Sequence, residues 1–207
     1  MNERFIADQT FLDQNFGGHA FARADYEECT FRNCNFTGDG EARAELSGCR
    51  FVDCRFENCN LSNVAVKGAL FQDCEFTGCK MIGILFDEAE TLGLSIRFHR
   101  CHLDHGSFYG LDLSRCVLRD CSLREVEFTG ADLHGLDLGE SDLHLARFEN
   151  CNLQKTDFTR AAGYALDPTR NRIKGARFSW PEAGGMLDVF GSNWSIPNGF
   201  RKPHLQC

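Results

Sequence analysis

The segment ADLHG LDLGE SDLHL ARFEN CNLQK TDFTR, residues 131–160, consists of six consecutive five-residue units. The third residue of every unit is Leu or Phe, the first is mostly small, and the remaining three are mostly polar. A period of five fits neither an α-helix, whose faces repeat every 3.6 residues, nor a strand, whose side chains alternate. Two inward residues in every five predict a chain that turns a corner at each unit.

The same period extends through most of the chain. The large apolar position occurs in a first register from residue 11 to 86, where 15 of 16 positions are apolar and Glu41 is the exception. A second register, shifted by two residues, runs from Phe98 to Phe158, and all 13 of its positions are Leu or Phe. This repetition makes a repeat architecture the first hypothesis for the fold.

The cysteines follow the same two registers. Eleven of the twelve occupy the small position of a unit, two residues before the large apolar one: Cys29, Cys34, Cys49, Cys54, Cys59, Cys74, Cys79, Cys101, Cys116, Cys121 and Cys151. Such spacing is typical of one recurring structural position rather than of a disulfide framework or a zinc site. Buried cysteine behaves as a small apolar residue, and many unpaired thiols favour a reducing compartment, so we predict a cytoplasmic protein.

Four corners close a square, which gives coils of 20 residues stacked at strand spacing, about 4.8 Å. Residues 20 apart should then lie above one another. The spacing predicts one column of Cys34, Cys54 and Cys74 and another of Phe36, Phe56 and Phe76. About 28 repeats correspond to about seven coils and to a rod about 35 Å long.

Two segments interrupt the pattern. Residues 37–43, TGDGEAR, lose the apolar centre at Glu41 and are predicted to form a bulge or short loop. Residues 87–97, DEAETLGLSIR, contain two residues more than the period allows, and the first four include the acids Asp87, Glu88 and Glu90. Each interruption is either a tolerated surface insertion or a loop that contacts a partner.

The repeat ends near residue 170, which divides the chain into three parts. Residues 1–170 are predicted to form the β-helix, 171–191 a final rung and a C-terminal helix, and 192–207 a tail that is a candidate for disorder. Ser179, Pro181 and Glu182 suit the start of that helix. The helix serves either as a monomeric cap or as a dimer interface formed by Phe178, Trp180, Met186, Leu187 and Phe190.

Composition excludes several classes of function. The formal net charge is −8, with −11 in residues 1–160 and +3 in residues 161–207, so we expect no direct binding of nucleic acid. No long apolar run predicts a membrane span, and the N-terminus does not resemble a secretory signal. His99, His102 and His105 should point outward at different angles. We predict no catalytic constellation, no metal site and no cofactor.

The repeats resemble the pentapeptide-repeat family, and the resemblance covers roughly residues 9–160. It implies an all-β fold, a right-handed quadrilateral β-helix. The units CTFRNCNF and CRFVDCRFENCNL, with residues 101–113 and 167–183, are most similar to the topoisomerase-protecting branch. That branch includes the Qnr proteins, the mycobacterial protein MfpA and the albicidin-resistance protein AlbG, and AlbG is the most similar in the last two stretches.

The resemblance implies a homodimer that mimics DNA, binds DNA gyrase or topoisomerase IV and protects the enzyme from a poison. The acidic residues expected to contact the partner are Asp87, Glu88, Glu90, Asp132, Asp137 and Asp142. The interruption at 87–97 is shorter than the large loop of the Qnr type. The alternative is a cytoplasmic β-helical scaffold for an unrelated partner, and an enzyme ranks third.

Overall fold

The computed structural model describes residues 4–17, 21–37, 43–180, 182–184 and 186, which form a parallel β-solenoid. Its strands are three or four residues long because the chain turns after each unit. They are β1 (Phe5–Ala7), β2 (Thr10–Leu12), β3 (Asp25–Glu27), β4 (Thr30–Arg32), β5 (Arg50–Val52), β6 (Arg55–Glu57), β7 (Leu70–Gln72), β8 (Cys74–Thr77), β9 (Ile96–His99) and β10 (Val117–Arg119).

These strands form two sheets on adjacent sides of the solenoid. One has the order β1-β3-β5-β7 and the other β10-β9-β8-β6-β4-β2, and every pairing is parallel. Single bridges continue both sides beyond the strands, for example from Asp112 to Asp132 and on to Asn152. The stacked, square coil predicted from the five-residue period is therefore confirmed.

A third side shows the length of the stack. Its bridges join one residue per coil in the continuous ladder Asn15, Asn35, Asn60, Lys80, His102, Ser122, Asp142 and Ala162. The seven steps of this ladder correspond to about 34 Å at a strand spacing of about 4.8 Å. The predicted length of about 35 Å agrees with this ladder.

The corners depend on backbone turns that the sequence pattern favours. At a typical corner, the N–H of Val126 donates to the carbonyl of Leu123 (3.4 Å), and Glu125 between them has φ 56°. A positive φ at this turn position favours Gly, Asn and Asp. The residue that ends most units is therefore polar for two reasons: the turn requires a positive φ, and the side chain faces water.

The interior is filled as predicted, with large apolar side chains along the axis and small ones beside them. Phe56 is fully buried, and its ring stacks on Phe31 (4.7 Å) and on Phe76 (4.5 Å). A second column on another side stacks Phe86, Phe108, Phe128 and Phe148 at 5.1–5.5 Å. All eleven described cysteines are buried.

Each of the two columns predicted from a strict 20-residue step is wrong at its first member, Cys34 or Phe36, whereas Cys54 with Cys74 and Phe56 with Phe76 stack as predicted. Tyr26 pairs with Phe51, and Phe31 pairs with Phe56, so the coil that joins the paired residues is 25 residues long instead of 20. Consequently Phe31, not Phe36, lies over Phe56, and the equivalent register step places Cys59 beside Cys34. The five extra residues belong to the interruption at 37–43, closed by a hydrogen bond from Ala44 N–H to the Phe36 carbonyl (2.7 Å).

The C-terminal end of the stack is partly covered by its own chain. Phe178 stacks on Phe158 (5.2 Å), and Met186 is buried against the core. Ala183 N–H donates to the carbonyl of Ser179 (2.9 Å), and residues 182–184 form a single 3-10 turn. Leu187, Phe190 and the tail 192–207 lie outside the described residues, so the helix expected within 171–191 remains a prediction.

Candidate partner-binding surfaces

The second interruption forms a small acidic projection near the middle of the rod, which we call the acidic knob (residues 87–93). It begins in a 3-10 helix, Phe86–Glu88, whose Phe86 ring is buried and stacks on Phe108. Coils on either side of the knob pair with a step of 22 residues, as in Leu85 with Ser107. The insertion therefore adds only two residues, and the loop it makes is compact.

Backbone hydrogen bonds hold the knob against the coil below it. The carbonyl of Glu88 accepts from Gly68 N–H (2.8 Å), and Glu90 N–H donates to the carbonyl of Ala69 (2.8 Å). The side chains of Asp87, Glu88 and Glu90 are exposed. At the tip, Leu92 is 85% exposed, and its N–H donates to Glu90 Oε1 (3.1 Å). A rigid base thus presents three carboxylates beside one apolar side chain.

The other three predicted acids do not form one surface. Asp132, Asp137 and Asp142 come from successive units, and their bridges lie on three different sides of the solenoid. Arg160 contacts Asp137 (3.1 Å) and Arg124 contacts Asp142 (3.4 Å). The carboxylate of Asp132 accepts hydrogen bonds from the Asn152 amide. These acids contact residues of neighbouring coils and stabilise the stack. This makes them less suited than the knob to bind a partner.

A second acidic line was missed by the sequence analysis. Asp8, Glu28, Asp53 and Asp73 follow paired residues of β1, β3, β5 and β7, so they stack along one corner, the acidic ridge. All four have φ between 51° and 53°, and none has an ion-pair partner within the described part of the chain. The sequence shows that each of these acids is the last residue of its five-residue unit. It does not show that they stack, because one of the coils between them is 25 residues long.

The predicted dimer residues lie at the C-terminal end of the rod, but they differ in exposure. Trp180 is 44% exposed, Phe178 is half-buried and Met186 is 8% exposed. Leu187 and Phe190 fall outside the described residues. Trp180 is thus the most exposed of the three predicted interface residues that the structure describes.

A family model described as "Pentapeptide repeat region" matches residues 49–128 and 95–178, which together make up more than half of the chain. The chain belongs to the pentapeptide-repeat family. No curated protein sequence matches this pentapeptide-repeat chain significantly. The family match and the stacked coil of the structure agree with each other.

Two solved structures share the fold at low sequence identity. A trypsin-treated variant of QnrB1, described as a plasmid-mediated fluoroquinolone resistance protein, has a TM-score of 0.58 at 20% identity, covering 92% of this chain and 100% of that chain. A second trypsin-treated QnrB1 variant has a TM-score of 0.53 at 20% identity, covering 92% and 99%. HetL from the cyanobacterium Nostoc sp. strain PCC 7120 gives 0.46 at 16% identity, covering 86% and 90%.

The pentapeptide-repeat interior also determines what its cysteines can do. Each thiol lies inside the coil, and several donate to a backbone carbonyl of the preceding coil, as Cys79 does to Phe56 (3.3 Å). Burial raises the pKa of the Cys54 thiol to about 12 and that of Cys151 to about 11. Thiols in this state are poor nucleophiles and poor metal ligands. The described residues contain no group of side chains placed to hold a metal ion.

We predict that the eleven described thiols resist alkylation in the native protein. At pH 7.5 iodoacetamide should leave all of them unmodified over an hour, because every one of these thiols is buried inside the coil, where the reagent cannot reach it. Unfolding in guanidinium chloride should then expose all eleven to the reagent. Peptide mass spectrometry assigns each site, and rapid native labelling of any of these cysteines would contradict the closed packing of the coil.

The three histidines lie on different parts of the surface, as expected. His99 and His102 belong to adjacent sides, and His105 lies at the next corner, where its Nδ1 is 3.4 Å from Glu125. All three are exposed.

Within the described ranges, no helix is long and apolar enough to span a bilayer.

Proposed function

We propose that this pentapeptide-repeat protein binds a type II topoisomerase, DNA gyrase or topoisomerase IV, in place of DNA and protects it from a poison. The observation that carries the proposal is that the acids of the ridge and the knob, on a rod about 34 Å long, have no ion-pair partner among the described residues. Duplex DNA presents phosphates at a regular rise, and a basic channel built for them attracts a rod with regularly spaced carboxylates.

The two acidic surfaces support this proposal in different ways. The acidic ridge repeats one carboxylate per coil, about 4.8 Å apart, over four coils. The acidic knob concentrates three carboxylates near the middle of the rod beside Leu92. We assign long-range attraction to both and close contact to the knob, since its apolar tip can be buried in a partner.

The likeness to QnrB1 suggests the class of poison. QnrB1 is described as a fluoroquinolone resistance protein, and at 20% identity it shares the fold with this chain. The proposal extends the protective role to this protein, with a quinolone or an albicidin as the poison. It also includes a homodimer through the C-terminal end, with Trp180 at the contact.

A gyrase supercoiling assay tests the proposal. Protein at micromolar concentration should restore supercoiling that ciprofloxacin or albicidin has inhibited, and the rescued drug identifies the class of poison. Light scattering on the purified protein alone should give a molecular mass of twice 23.3 kDa.

The outcomes of this assay separate the parts of the proposal. Inhibition of gyrase without rescue supports mimicry of DNA and contradicts protection. No effect on gyrase or on topoisomerase IV contradicts the proposal and leaves the scaffold for an unrelated partner. A mass near 23.3 kDa contradicts the dimer alone.

A further inference from the structure

A shallow groove lies beside one corner of the solenoid. Asn58, Gly78 and Arg100 follow one another along this corner, since Asn58 N–H donates to Thr77 and Gly78 N–H to His99, each at 2.9 Å. Gly78 has φ +64°, and a Cβ there would lie 2.6 Å from Asn58 Oδ1. The Asn58 side chain thus lies over Gly78, and beside this corner is a shallow groove of about 430 Å³ whose lining is Arg55, Phe56, Glu57, Asn58, Glu75, Thr77 and Arg100.

The carboxylates of the groove already have basic partners. Glu57 contacts Arg32 (2.6 Å), and this hydrogen bond lowers the pKa of the Glu57 carboxyl. Glu75 lies 4.0 Å from Arg55. Each of these two carboxylates therefore already has an arginine as its ion-pair partner. Neither acid neutralises the charge of a further cation nearby.

Arg100 is the spare cation of this groove. Its side chain is exposed, and no carboxylate lies within 4.0 Å of it in the part of the chain that the structure describes. The same is true of Arg97, which pairs through its backbone with Glu75 on the neighbouring coil. In and beside the groove, Arg32, Arg55, Arg97 and Arg100 thus outnumber Glu57 and Glu75, on a chain of net charge −8.

We propose that this groove binds a small polar molecule that carries an oxyanion, either a phosphate or a carboxylate. The guanidinium of Arg100 offers paired N–H donors to two oxygens of the anion. The Asn58 amide and the Thr77 hydroxyl supply further donors on the floor and wall. Glu57 and Glu75 accept hydrogen bonds from hydroxyl or amino groups of the same molecule. The volume lies within the range of small-molecule sites.

This site is independent of topoisomerase binding, because it uses basic residues on a side of the rod separate from the acidic knob. Its test uses inorganic phosphate and acetate as probes, at constant ionic strength, in NMR titrations of the full-length protein. The amide signals of Thr77, Gly78 and Arg100 should shift together and saturate. Saturation by phosphate alone indicates a phosphorylated ligand, by acetate alone a carboxylate ligand, and by both a general oxyanion site.

Two variants and one control make the test decisive. Arg100→Gln should weaken binding at least tenfold, and Arg100→Lys, which keeps the charge but loses the paired N–H donors, should weaken it less. Arg172→Gln removes another exposed arginine with no ion pair in the described chain and should bind like the parent. Shifts that stay linear with either probe, or that persist unchanged in Arg100→Gln, would overturn the proposal.

Discussion

Replacing Phe56 with Ala is expected to lower the free energy of unfolding by about 3–5 kcal/mol. The ring is fully buried between Phe31 and Phe76, so its removal leaves a cavity that the stacked neighbours cannot close. Each coil of a solenoid contacts only its neighbours, and a defect in one coil weakens two interfaces. Since domains are typically stable by about 5–15 kcal/mol, the variant should be close to unfolding. Urea denaturation followed by circular dichroism measures the change.

Phe5→Ala is the matched control for this substitution. Phe5 belongs to β1, at the first described coil, and its side chain is 63% exposed. The same chemical change there should alter the free energy of unfolding by about 0.5 kcal/mol or less. Equal losses at the two positions would show that the aromatic columns do not carry the stability of the rod.

The five-residue period was sufficient to predict the architecture because it reports burial directly. Side chains at the first and third positions of a unit must fit inside a closed coil, and those at the other positions meet water or turn the corner. Cys54 and Phe56 illustrate the rule, since both are fully buried while Asp53 and Arg55 are exposed. The period alone therefore separates axis from surface.

The period did not predict which residues of adjacent coils stack on each other. The interruption at 37–43 adds five residues, a whole period, so the residues that follow keep their register while moving to the next side of the square. Cys34 thus lies by Cys59 rather than Cys54, and the acidic ridge could not be recognised. The insertion at 87–97 adds two residues, shifts the register visibly and was located correctly.

Exposure also depends on contacts that the sequence does not display. Asp137 and Asp87 look alike as surface acids, yet Arg119 and Arg160 both reach Asp137 from other coils. Met186 has the apolar character of an interface residue, but it is buried by its own chain. The ranking of contact residues therefore had to come from the structure.

Reversing the charge of the acidic knob should have the largest effect on partner binding if the protein engages a topoisomerase as proposed. In the triple variant Asp87→Lys, Glu88→Lys and Glu90→Lys, association with gyrase should slow by at least tenfold at low salt, because electrostatic attraction sets the rate of encounter. Protection in the supercoiling assay should be lost. The fold should remain, since these side chains are exposed and backbone groups hold the base of the knob, and only the Leu92 N–H loses a side-chain acceptor, Glu90.

The comparison variant is Asp132→Lys, Asp137→Lys and Asp142→Lys, which changes the net charge equally. It removes contacts to Arg160 and Arg124, so its melting temperature should fall below that of the knob variant. Its acids lie on three sides of the rod, and a partner that approaches one side meets only some of them. Association should therefore slow less than in the knob variant, and the difference should shrink as salt screens both sets. Equal slowing in the two variants would mean that gyrase responds to total charge, and the knob would then have no specific role in recognition.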